Sequence, residues 1–317
     1  MTSKKLIIVG LKKLLKRNFS KQCYTNLGLF SLEDIEPIDL TGICLEPLSA
    51  LNRTRGLSVM VDVPLSSIFC MGPIYPSSFS NPYYLTARQF IENSSVNYEE
   101  SALAIYYTDF IPKNAAELMD SSSRKLQSFP PKYACEPWAG ISGISIKKAK
   151  DRRAIRHGKL ASPPLSADDG DYSVGPFSTE KGKIEFNRLI NIIQSIRHKG
   201  YKPQTDRNNI KGNIYKFGNA WKIGITNGKH RIPVLNALGF KSVPVIIRNP
   251  DKIILDVDVK SWPGVSSGDF TEIEAIKMLQ RIFEDRNPLW LNSLIEDSEI
   301  YSELVHRYNS VLFSDIN

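Results

Sequence analysis

The sequence predicts an α/β (α+β) protein with a divergent N-terminal half and a helical C-terminal extension. Three observations carry this reading. Residues 220–248 run as strand, polar turn, short helix ended by Gly239, and strand, an order that builds an α/β unit. Ahead of them, "EKGKIEFNRLINIIQSIRHKGY" sets Ile184, Leu189, Ile192, Ile193 and Ile196 at helical spacing, with Gly200 as a C-terminal stop. Beyond Trp262, "TEIEAIKMLQRIFEDR" and "LWLNSLIEDSEIYSELVHRYNSVLF" read as helices, the first opened by a Thr271/Glu274 capping box.

Taken in order, residues 1–25 form a basic amphipathic N-terminal helix. Ile7, Leu11, Leu14, Leu15 and Phe19 fall on one side and Lys5, Lys12, Lys13, Lys16 and Arg17 on the other. Such a helix lies on an anionic membrane surface, or docks its apolar face on the body of the protein. Lysines interrupt the apolar stretch and no small-residue cleavage site follows, which argues against a cleaved secretory signal. Residues 26–120 read as a mixed α/β region, with "LSVMVDVPL" its clearest strand and "YLTARQFIEN", "YEESALAIYYTDF" and "PKNAAELM" its helices. Tyr106 and Tyr107 read as packed core. Residues 121–173 are polar and rich in Pro, Ser, Gly and Asp, a linker-like excursion with a basic run at 147–159. An α/β domain over 174–260 and the helical extension 261–317 complete the chain.

Composition narrows the function classes. The formal charge is +8, but residues 1–25 alone hold seven Lys/Arg and no acid, so the body is nearly neutral and nucleic acid is not an expected partner. No apolar run approaches the roughly 20 residues that a membrane-spanning helix needs. Cys23, Cys44, Cys70 and Cys135 are widely spaced with no C-x-x-C pair, which fits free thiols in a reducing cytoplasm.

The chemistry concentrates in "NGKHR", residues 227–231, between the strand "AWKIGIT" and the helix "HRIPVLNALG". A turn from a strand into a helix start directs backbone N–H groups, and the positive end of the helix dipole, at an anion. Gly228 would let the main chain approach a ligand closely, and Lys229, His230 and Arg231 would add side-chain donors, Arg231 gripping a phosphate in bidentate fashion. The other reading of the same residues is a surface turn with exposed Lys229 and Arg231.

Strand, "NGKHR", helix and "ALGFKSVPVII" together resemble the ParB/sulfiredoxin-like superfamily, whose members carry a Gly-x-x-Arg or Gly-x-His-Arg turn, a short helix, "LG" and a "VPV" strand. "IIQSIRHKGYKP" resembles the helix that precedes the motif in that family, and the match covers residues 174–248, under a quarter of the chain. The resemblance implies that Asn227, Gly228, Lys229, His230 and Arg231 bind a nucleotide or another phosphorylated small molecule, Asn227 standing where an Asp is more usual. It implies a nucleotide (ATP, ADP or CTP) and Mg2+ as cofactors. Lys229 occupies the position of the reductase cysteine, so sulfinic-acid reduction is not expected, and no downstream helix-turn-helix supports a DNA clamp.

What remains is phosphotransfer or phosphate hydrolysis, with Glu185 and His230 as catalytic residues and Glu180 as a weaker substitute for Glu185. From the residues alone, the commoner reading of Glu185 is a solvated first-turn carboxylate that complements the helix dipole. The layout as a whole is similar to ParB-like proteins of bacterial surface-polysaccharide clusters. That similarity implies a cytoplasmic protein peripheral to the inner membrane, a kinase or phosphohydrolase acting on a phosphorylated sugar or lipid-linked intermediate. The alternatives are a non-catalytic nucleotide-sensing or scaffold module and, more remotely, a nuclease or DNA-binding protein.

Overall fold

In the computed structural model, the described residues are 36–43, 46–70, 80–139, 151–152, 155, 164–166, 169–170, 175–203, 209–247 and 253–314. The amphipathic segment 1–25, most of the basic run 147–159, and Cys23 and Cys44 lie outside them.

The fold is mixed α/β around one seven-stranded sheet. Its strands are β1 (Ile38–Asp39), β2 (Val59–Pro64), β3 (Ile68–Phe69), β4 (Lys211–Phe217), β5 (Ala220–Asn227), β6 (Ser242–Ile247) and β7 (Ile254–Leu255). They run in the order β1-β2-β6-β4-β5-β3, with β7 beside the far end of β4. β2/β6 and β4/β5 are antiparallel, and the other pairs are parallel. Strands from the N-terminal region thus pair directly with those of the 174–260 region. Val59 faces Ile247 and Val61 faces Val245 across β2 and β6, and all four side chains are buried.

Helices α1 (Pro47–Arg53), α2 (Pro82–Glu92), α3 (Ala102–Asp109), α4 (Ala115–Leu118) and α5 (Arg124–Gln127) precede α6 (Thr179–Lys199), the longest helix among the described residues. Ser178 caps α6 by accepting from the Lys181 N–H, and Gly200 closes it at φ 69°. One face of α6, including Phe186, Leu189, Ile190, Ile193 and Ile196, is buried against α2, α3 and the short helix α7 (Arg231–Ala237). Its opposite face stays open, and the site lies there.

Residues 121–139, within the stretch expected to be linker-like, are anchored to the core at several points, although much of 121–130 is exposed. Leu126 and Ala134 are buried, and Trp138 meets Trp262 and Tyr215 edge to face at 5.3 and 5.4 Å. Aromatic burial on that scale outweighs the polar composition that suggested an excursion.

The extension holds α8 (Pro263–Ser266), α9 (Glu272–Phe283), α10 (Leu289–Asp297) and α11 (Glu299–Ser314). It is tied to the body throughout. The Trp290 indole donates to the Leu118 carbonyl at 3.0 Å, and the Tyr301 hydroxyl to the Ser80 carbonyl at 2.9 Å. Among the described residues no helix is long and apolar enough to cross a membrane.

The Thr271/Glu274 capping box is present, and Glu274 does more than cap. One carboxylate oxygen accepts from Thr271, while the other accepts from the Ser122 N–H at 2.7 Å and from the Ser121 and Ser122 hydroxyls. Burial raises its pKa, but these hydrogen bonds outweigh it and hold the carboxyl at about 2 against an ordinary 4.5. A depressed pKa means stability present above pH 4.5 and lost as pH falls towards 2. Glu274→Ala is expected to cost about 1–2 kcal/mol in denaturant unfolding at neutral pH, through the cap and the 121–122 anchor together. A change of a few tenths or less would show that the anchor carries no energy.

Candidate functional site

β5 ends at Asn227, whose side-chain amide donates to the Asn209 carbonyl at 2.7 Å. The chain then turns through Gly228 at φ 100°, a left-handed conformation that side chains disfavour. A Cβ there would sit 2.9 Å from Ile210 Cγ1. The glycine therefore makes room for a core isoleucine, where the sequence suggested room for a ligand.

The backbone donors expected at the start of α7 are also committed. The Arg231 and Ile232 N–H groups both donate to the Gly228 carbonyl, at 2.9 and 3.1 Å, and Pro233 has none. A helix whose first N–H groups are spent on its own turn has no main-chain cradle to offer at those positions. At these two positions, then, the main chain has no free donor for an anion.

His230 turns inward. Its Nε2 lies 2.7 Å from Glu185 Oε2, and the Tyr83 ring meets the imidazole edge to face with centroids 4.8 Å apart. Glu185 itself is 0 % exposed, two turns into α6, and so is not the solvated helix-start carboxylate that the sequence also allowed. Its carboxylate is surrounded by cations. Lys181 Nζ lies 3.3 Å away, and Arg188 Nη1 donates to both oxygens, at 3.2 and 3.4 Å. Burial alone would raise the Glu185 pKa, but the His230 hydrogen bond and the charges of His230, Arg188 and Lys181 win and hold it at about 2.

The two residues read as catalytic are thus brought into direct contact, across 45 positions of chain. Glu180, the substitute, sits in the first turn of α6. Lys229 lies on another side, where its charge opposes the effect of burial on the Cys70 thiol, which is pushed up to about 12. Cys70 is a free thiol.

Along the open face of α6 runs a cleft of about 720 Å³. Arg188, Lys199, Lys202 and Arg231 line it, and no carboxylate does so among the described residues. Of the residues of the turn, only Arg231 reaches this lining. Tyr201 closes one end, its ring 6.3 Å from that of Phe240 and its hydroxyl buried without a hydrogen-bond partner. Burial raises the Tyr201 pKa, and the Arg231 charge opposes that.

No family model, curated protein or solved structure matches this chain.

Mg2+ takes oxygen ligands, chiefly carboxylates, phosphates and water. Glu185 is fully buried and committed to three basic partners, and the described lining of the cleft has no carboxylate, so these residues do not fit a metal held by the protein. Among the described residues no group of three or more His, Cys, Asp or Glu side chains converges to hold one.

Sequence reasoning missed Lys181, Arg188, Lys199 and Lys202. A signal for the first two was present: Lys181, Glu185 and Arg188 follow i,i+4 and i,i+3 spacing on a segment already read as helix.

Proposed function

We propose that this chain binds a phosphorylated small molecule, with a nucleotide the leading candidate, in the cleft between α6 and Arg231. The observation that carries the reading is the lining, four cations of which Arg188 is already paired with Glu185 behind it, and no carboxylate among the described residues, in a volume suited to a small ligand. Arginine side chains match phosphate in bidentate fashion and lysines add point charge. The resemblance of "NGKHR" and its flanks to the ParB/sulfiredoxin-like superfamily supports the same ligand class, with the cleft's side chains as the donors named here. Any Mg2+ would arrive on the nucleotide's own phosphates.

The Glu185–His230 contact favours a second reading, in which a bound phosphoryl group is transferred or hydrolysed. In that reading Glu185 orients His230, which adjoins Arg231 in the chain but does not line the cleft, so the phosphoryl group must pass Arg231 to reach it. The amphipathic pattern of residues 1–25 supports work beside an anionic membrane surface, where phosphorylated sugars and lipid-linked intermediates are candidate ligands.

Direct titration of the full chain with ATP, ADP, CTP and GTP, with and without Mg2+, tests the binding claim. Binding of at least one is expected, and Arg231→Ala should weaken it roughly ten- to a hundredfold, the worth of a charged hydrogen bond. Binding that is indifferent to Arg231→Ala would place the ligand elsewhere and remove the proposal.

A further inference from the structure

The chemistry of the cleft changes along its length. Arg188 and Lys199 stand eleven positions apart on α6, roughly 16 Å along the axis at 1.5 Å per residue. That span exceeds what a single phosphate can bridge. Along the same wall stand Asn187, beside Arg188, and then Asn191 and Ser195 between the two cations, four residues apart and therefore in one row. All three are exposed and line the cleft.

These groups can donate to phosphate oxygens, but they add no charge and leave their acceptor atoms unused there. A phosphate ester offers only acceptors at neutral pH, and half of each carboxamide is an acceptor too. A carboxamide both donates and accepts, as does the serine hydroxyl, and that pairing complements hydroxyl groups and the polar edges of bases. At the Lys199 end, the buried Tyr201 hydroxyl lacks a hydrogen-bond partner, and an unmade bond of this kind is costly unless something completes it.

Resting on the phosphate-binding reading above, we infer that the ligand is an elongated phosphate ester with a hydroxyl-bearing body, read by the Asn187, Asn191 and Ser195 row while the cations hold its phosphates. Ribonucleotides and sugar-linked nucleoside diphosphates share this chemistry. Inorganic phosphate and pyrophosphate lack it.

The test titrates the full chain with inorganic pyrophosphate, ADP and UDP-glucose, in the wild type and in Asn187→Ala/Asn191→Ala. Both substitutions fall on exposed positions, so an unchanged melting temperature verifies the fold. The inference expects ADP or UDP-glucose to bind more tightly than pyrophosphate. It also expects the double variant to weaken that ligand by roughly tenfold or more, the worth of two hydrogen bonds, while pyrophosphate binding is unchanged. Preference for UDP-glucose over ADP would assign the row to a hexose, and equal binding would assign it to the ribose or base. Should pyrophosphate bind as tightly as either, or should the double variant weaken all three alike or none, the row reads nothing and the inference fails, while the cation-lined site stands. If none of the three binds, the phosphate-binding reading itself falls and takes the inference with it.

Discussion

Replacing Glu185 by Gln is expected to destabilise the protein by about 3–5 kcal/mol, because breaking a buried ion cluster from one side leaves the other charges uncompensated. Lys181 is 2 % exposed and its Nζ makes no hydrogen bond, so the Glu185 carboxylate 3.3 Å away is what balances its charge. Arg188 loses both of its carboxylate contacts in the same step. The effect carries a pH signature. Glu185 titrates at about 2 in the folded chain against 4.5 for a free side chain, so folding favours its ionised form. Its contribution is in place above pH 4.5 and is lost as pH falls towards 2, a change of about 3 kcal/mol at 1.36 kcal/mol per pKa unit. Denaturant unfolding of both proteins at pH 7 and pH 3 should show the difference between them shrinking at the lower pH. A variant as stable as the wild type at neutral pH would mean that the cluster is solvated and does not organise the site.

Gly182→Ala is expected to destabilise the fold by about 1–3 kcal/mol, the usual cost of forcing extra atoms into a packed core. Helix propensity predicts the opposite sign, since glycine inside a helix is worse than alanine by about 1 kcal/mol. The contact decides it. A Cβ on Gly182 would stand 1.9 Å from the Tyr98 hydroxyl oxygen and 2.1 Å from Cζ, and Tyr98 is itself 7 % exposed, so the ring must leave its place against Phe186. Because Gly182 adjoins Lys181 and lies one turn before Glu185, a shifted Tyr98 should also loosen the ion cluster. Thermal unfolding separates the two signs, and a rise in melting temperature for Gly182→Ala would show that the Tyr98 packing is not tight.

The parts of this architecture that sequence reveals are those fixed by local pattern. Apolar periodicity and a terminal glycine define α6, whose stop at Gly200 has the positive φ that the residue allows. Short runs rich in β-branched residues mark β2, β5 and β6, and the Thr271/Glu274 box marks the start of α9. β4 was not legible. "KGNIYKF" has no apolar run, and it becomes an interior strand because β5 pairs one side of it and β6 and β7 share the other. The contact between Glu185 and His230 was half legible, since each residue was singled out but the burial that joins them depends on α2 and α3 covering that face of α6. The fate of the turn's N–H groups was not legible at all. Whether the Gly228 carbonyl points back at Arg231 and Ile232 is set by backbone torsions that the residue types do not specify. The cleft joins Arg231 to a helix more than thirty residues earlier, and a linear reading does not group such residues.

Thermal unfolding of the full chain with and without nucleotide tests the central claim most directly. A nucleotide held in the Arg188/Arg231 cleft at 100 times its dissociation constant should stabilise the wild type by roughly 2.7 kcal/mol, and the same concentration should leave Arg231→Ala almost unshifted. If ATP, ADP, CTP and GTP all leave the wild type unshifted, or if one shifts the wild type and Arg231→Ala equally, this cleft does not bind a nucleotide.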